Sequence, residues 1–402
     1  MDQTLGFKRS SVLCEGESVM DTSRSRSIPR STFTGIRWTQ VLSLLGLDLA
    51  ILLSWMGYNE YQPRLVERFG YGRNAFAFLV VQTLIMVVTP PVAGYLTDRL
   101  LAHGGVRLVV VNLGIAMAAM VFMATALAVT GQPGAWITAL FPVLIVLWLI
   151  SMNIFHSPAI SMLELYAPPN LLTAVASLFT LLAGLTAALE PSMTVLIDSL
   201  GAPLTFAAGG IAVFVAGSWF LRSSRNIEVQ RESDSAAAPE TSEFALILAM
   251  GLGLGLGVGE AIMNDLLPRW IAVKGDLSPG YGPAGQSSFL YALSALVAWP
   301  LGMTGNRFTA EWLALIGGLG MLLLGSAAWL LPPPMAHAVL WIFPAVYSAL
   351  AVASLPVAFA RLRPGHKVLG VGLLFSGVQL AVGLLFSGVQ LAVGLVKIAL
   401  NL

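Results

Sequence analysis

Apolar residues run in long blocks along this chain, and polar residues collect in the short gaps between them. The first half holds six blocks, near residues 38–58, 74–96, 107–130, 136–157, 171–196 and 202–221. The second half holds five, near 244–265, 285–304, 311–331, 337–360 and 368–396. A helix of about 20 apolar residues crosses a hydrocarbon layer of ~30 Å, whereas a spanning strand needs only about 10 alternating ones. The pattern therefore predicts an all-α membrane protein with eleven spans, a twelfth being missing or incomplete. Residues 1–37 are polar, rich in Ser and Arg, and lack the apolar core of a signal peptide, so they read as a disordered tail. The charged stretch 222–243 is the expected linker between an N-terminal six-helix bundle (38–221) and a C-terminal bundle (244–402).

Composition agrees with a chain that lives in lipid. Of its 402 residues 57% are hydrophobic and only 10% charged, against about 25% charged in soluble domains. Net charge is close to zero, so nucleic acid is not an expected partner. The partners expected are the bilayer, a small solute and protons, with the chain acting as a monomer. Fifteen Lys and Arg fall on the side of the N-terminus against five on the other, which predicts a cytoplasmic N-terminus in a bacterial cytoplasmic membrane. The single cysteine, Cys14, lies outside every block and can form no internal disulfide. Four histidines and one cysteine at no ligand spacing argue against a metal site, and no phosphate-cradling Gly-Lys-Ser loop occurs. No nucleophile stands beside a base, so neither an enzyme nor a cofactor is expected.

Two internal repetitions stand out. Gly302, Asn306 and Arg307 repeat the spacing of Gly94, Asp98 and Arg99, each shifted by 208 residues. Val371 to Ala381 reads VGLLFSGVQLA, and Val382 to Ala392 reads the same again. With both copies the charge-free run is 29 residues, about 43 Å of helix at about 1.5 Å per residue. Eleven residues make close to three turns, so the second copy repeats nearly the same face. The expectation is one overlong, tilted eleventh span, the alternative being a hairpin broken near Ser387.

Charges inside the blocks are the candidate chemistry, because a carboxylate in hydrocarbon is costly unless paired, hydrated or protonated. Asp48 lies near the middle of the first block and is the candidate for proton coupling, or else for a structural hydrogen bond to a neighbouring helix. Glu190 precedes Pro191, whose missing donor loosens a helix, and so is expected to face a cavity. Glu260 follows a run of alternating glycines, of which Gly251, Gly255 and Gly259 share a face suited to close packing. Asn264 and Asp265 extend that polar face toward the outer mouth, unless Asp265 marks the end of the span. Trp55, Tyr58, Tyr61, Trp148, Tyr291 and Trp299 could stack on a sugar ring or anchor span ends.

Between the second and third blocks stand Gly94, Leu96, Asp98 and Arg99, then His103, Gly104, Gly105 and Arg107. This resembles the signature loop of the major facilitator superfamily, G-x-L-x-D-R-x-G-x-R, with one or two extra residues before the second glycine. The resemblance implies two bundles rocking about a midplane site, with Asp98 and Arg99 tying the bundles together on the cytoplasmic face. The stretch from Asn153 through His156 and Pro158 to Glu164 and Pro168 is similar to that of sugar:proton symporters of the sucrose-carrier type. His156 stands there in place of arginine and Glu164 in place of aspartate, and both also read as gate or packing residues. The fifth block does not resemble the glycine-proline motif of drug antiporters, and the fourth lacks their buried arginine. Three readings follow: a proton-coupled carrier of a small polar solute such as a sugar, an exporter of drugs or metabolites, and a carrier-like factor for assembly or pigment delivery.

Overall fold

The structure is a computed structural model that describes residues 35–72, 75–130, 134–228, 243–269, 282–304, 309–330 and 333–399. Eleven long helices follow one another: α1 (Trp38–Arg68), α2 (Ala75–Ala102), α3 (Arg107–Thr130), α4 (Ala135–Ser161), α5 (Leu172–Ala188), α6 (Glu190–Glu228), α7 (Glu243–Ala261), α8 (Pro283–Met303), α9 (Ala310–Leu330), α10 (Pro333–Arg361) and α11 (Lys367–Ala399). Among the described residues there is no strand. Among the described residues ten helical stretches are long and apolar enough to cross a membrane. The stretch not among them is α8, which carries Gln286, Ser287, Ser288 and Ser294 in its 21 residues.

The long elements break where the backbone demands it. Leu189 separates α5 from α6, just before Pro191, which cannot donate to the preceding turn. Gly201 adopts φ +76° within α6, a conformation that favours glycine, and splits it into two helical stretches. The chain reverses there, for Thr205 Oγ1 donates to the Ile197 carbonyl eight residues back at 3.4 Å. A continuous helix would hold those residues about 12 Å apart. The expected fifth and sixth blocks thus meet at Gly201. Two boundaries shift outward, since α4 runs to Ser161 and α6 carries Arg222 and Arg225 on its last helical turns.

In the first half α6 lies against both α1 and α3, and α4 packs on α2 and α3. In the second half α10 packs on α9, α8 and α7, and α11 packs on α7. The halves meet along two seams, α2 against α11 and α5 against α8. Glycine sets the closeness of the first seam. A Cβ on Gly94 would lie 2.6 Å from the Val368 carbonyl oxygen, and one on Gly372 would strike the Pro90 carbonyl. Gly383, the counterpart of Gly372 in the second eleven-residue copy, packs against Thr83 of the same α2. The duplication therefore presents one face twice to one neighbour, and α11 continues without a hairpin through Ser387. Proline adds polar links, because Pro91 cannot donate to the Val87 carbonyl, which accepts instead from Ser376 Oγ of α11 at 2.7 Å. Asn306 and Arg307 lie outside the described residues, as do the tail 1–34 and residues 229–242 of the linker.

Candidate functional site

At the end of the bundle where α1 begins, four charged side chains meet across the seam. Asp98 of α2 is buried, and its two carboxylate oxygens accept from the backbone N–H of Val368 at 3.3 Å and Leu369 at 2.8 Å. These are first-turn donors of α11, which have no partner within their own helix and carry its positive dipole end. Glu164, in the short helix Leu163–Tyr166 after α4, sits between two cations. Its Oε1 accepts from Arg107 Nη2 at 3.1 Å, and its Oε2 pairs with Lys367 Nζ. Arg107 also donates from Nη1 to the Ser161 carbonyl at 3.1 Å. Side chains of the Arg107–Glu164 pair are less than a tenth exposed, so each charge depends on the others for compensation. Ser157 Oγ donates to the Pro90 carbonyl at 3.2 Å and joins α4 to α2 beside them.

Deeper in the same half lies a carboxylate–imidazole pair. Asp48 Oδ1 of α1 is 3.4 Å from His156 Nε2 of α4, with side-chain exposures of 11% and 22%. The His156 ring stacks on Phe375 of α11, centroids 4.3 Å apart and planes 17° from parallel. A titratable pair in the first half thus rests directly on an aromatic of the second.

A second group gathers nearer the opposite end, about 18 Å further along α1 by helix rise. Glu260 of α7 is half-buried and feels the charge of Glu190, which in turn feels Glu60 of α1. Tyr347 of α10 and Tyr291 of α8 both feel Glu260, and Asn264 lies beside Tyr291. Glu190 and Asn264 are exposed. Carboxyls, an amide and two phenols from five helices of both halves gather here.

The residues singled out from the sequence fall into these groups with some rearrangement. Gly94, Asp98, Arg107 and Glu164 meet at one end, while Arg99 is exposed and its carbonyl accepts from His103 Nδ1 at 2.7 Å. His156 lies not with them but with Asp48. Tyr58 and Trp148 stack on each other at 3.9 Å and are 3% and 2% exposed, so their faces belong to the core and no sugar ring can use them. Trp55 keeps partial exposure with its ring edge-on to Trp148. Tyr61 is likewise buried, its hydroxyl donating to the Ile197 carbonyl at 2.9 Å. The sequence reading missed Lys367, Phe375 and Tyr347. A signal existed for Lys367, because a cation opening a helix opposes the dipole unless an anion answers it.

No protein-family model matches the chain, and a search of curated proteins finds no match. Solved structures do match. A bacterial homologue of the iron transporter ferroportin, outward-facing with soaked iron, aligns at TM-score 0.62 and 16% identity over 87% of this chain and 92% of that one. Another structure of a bacterial homologue of the iron transporter ferroportin in outward-facing state aligns at TM-score 0.63 and 14% identity, covering 88% of this chain and 92% of that one. The proton:xylose symporter of the major facilitator superfamily, bound to 6-bromo-6-deoxy-D-glucose, aligns at 0.60 and 12% identity over 90% of each chain. With its eleven helices and two seams, the chain has the two-bundle fold of major facilitator superfamily transporters, and it is an integral membrane protein.

Proposed function

We propose that the protein is a secondary transporter that moves a small polar solute, a sugar in the first instance, together with protons by alternating access. The observation that carries this reading is the Asp48–His156 pair seated against Phe375. An acid and a base in contact within the bilayer hold one proton more or less at modest cost, whereas an isolated carboxylate there is costly. Loading the pair alters the charge under the α4–α11 contact and so biases the equilibrium between the two openings. The Glu190, Glu260, Asn264, Tyr291 and Tyr347 group supplies solute contacts toward the outer mouth. Asp98, Arg107, Glu164 and Lys367 form the cytoplasmic gate, holding the N-terminus of α11 against α2 and α4 while the carrier opens outward.

A carboxylate and an imidazole are also donors that a divalent cation uses, and one structural neighbour was crystallised with soaked iron. Iron(II) transport is therefore the second reading. Purified protein in liposomes, recorded with a pH dye, separates the two. External alkalinisation on addition of one member of a panel of mono- and disaccharides is the expected result. A response to Fe2+ alone would transfer the reading to a metal carrier. Silence across the panel, with protein folded and inserted, would overturn transport of either class and favour a carrier-like assembly factor.

A further inference from the structure

Connections between helices ordinarily run over the surface, because buried backbone must find partners. The connection between α4 and α5 does not. Met162, Leu163, Tyr166 and Ala167 are each at most 3% exposed, and among them stands Glu164. Its short helix ends at Tyr166, since Pro168 drives Ala167 to extended backbone at φ −135° and ψ 140°. A single turn of helix holds no shape by itself, so Glu164 stands where the neighbours of this turn put it.

Those neighbours come from α1, α3 and α6. Arg107 of α3 holds the near end through the Ser161 carbonyl. At the far end the Arg37 N–H, just before α1, donates to the Tyr166 carbonyl at 2.8 Å. The Tyr166 hydroxyl shares a hydrogen bond of 2.7 Å with Ser224 Oγ of α6 and donates to Met162 Sδ at 3.7 Å. Its ring meets Phe220 of α6 edge-on, centroids 6.5 Å apart. Ser224 is wholly buried, and the adjacent Ser223 is fastened to α1. Ser223 Oγ shares a hydrogen bond with Ser43 Oγ at 2.6 Å, and its carbonyl accepts from Gln40 Nε2 at 3.0 Å. About one turn beyond Ser224, α6 ends at Glu228 and the chain leaves for the second half. The turn that bears Glu164 is thus tied to the corner from which the halves are joined.

We propose that Tyr166 is a positioning residue of the gate: its hydroxyl, held by Ser224, fixes the turn on which Glu164 bridges Arg107 and Lys367, so that the end of α6 governs gate closure. The role rests on reading Arg107, Glu164 and Lys367 as part of the cytoplasmic gate. Ser157→Cys in a Cys14→Ser background, which removes the one native cysteine, reports opening through its rate of thiol labelling from the Arg37 end in membranes. Tyr166→Phe keeps the ring on Phe220 and removes only the hydroxyl, and labelling is expected to be about fivefold faster, equivalent to about 1 kcal/mol. Ser224→Ala should match it, and the double variant should be no faster than either, because both remove one link. Lys367→Gln, which opens the gate directly, should label faster too. In that background Tyr166→Phe should add nothing, whereas a general loosening of the fold would add its own increment. Unchanged labelling in Tyr166→Phe and Ser224→Ala beside a fast Lys367→Gln would overturn the role of Tyr166 and leave the gate standing. Additive effects of Tyr166→Phe and Lys367→Gln would overturn it as well. Unchanged labelling in Lys367→Gln would overturn the gate reading of Glu164 and Lys367, and this proposal with it.

Discussion

The charged groups at the end where α1 begins and those deeper in the bundle differ in how completely they are matched. Asp98, Arg107, Glu164 and Lys367 each have defined partners, two of them backbone N–H groups that cannot move without α11. Among the described residues Asp48 and His156 make one looser contact with each other, and His156 adds a ring stack on Phe375. The first arrangement resists change, because removing Glu164 strands buried cations and removing Asp98 leaves two backbone N–H groups of α11 unpaired. The proposed transport cycle assigns the first to the gate and the second to coupling.

Variants at the two places should therefore separate stability from coupling. Glu164→Ala has the largest expected effect, since it leaves Arg107 and Lys367 buried without their anion, a loss of about 3–5 kcal/mol. Thermal unfolding in detergent measures it, and an unchanged midpoint would show that solvent already compensates both cations. Asp98→Ala comes next, with about 1.5–3 kcal/mol lost as two charge-assisted bonds to the α11 terminus vanish. Its diagnostic is accessibility: a cysteine at Ser157 should label faster from the Arg37 end than it does beside an intact Asp98. Gly94→Ala should cost about 1–3 kcal/mol, because its Cβ would overpack the Val368 carbonyl. Equal labelling and stability for Gly94→Ala would mean that the α2–α11 seam is looser than its geometry implies.

Much of this was legible before any coordinates. Block length disclosed the eleven helices, and the motif around Asp98 singled out that residue, since both are local properties of the chain. Pairing was not local. Asp98 meets residues about 270 positions later and Glu164 meets Lys367 203 positions later. Asp48 and His156 were each visible as charges in apolar blocks, yet their contact depends on how α1 faces α4. The choice between Asp98 and Arg99 turned on helical phase, which places one against α11 and leaves its neighbour exposed. Aromatics misled most, because Tyr58 and Trp148 read as surfaces for a sugar while satisfying each other in the core. The spacing gave no hint of Phe375, which sits in an eleven-residue motif read chiefly for its repetition.

The most direct test compares uphill accumulation with solute exchange in liposomes containing Asp48→Asn protein. The account predicts that accumulation driven by a proton gradient disappears while exchange at equal pH persists and the unfolding midpoint stays where it was. Accumulation at the unsubstituted rate would contradict it, and would remove the Asp48–His156 pair from the transport cycle.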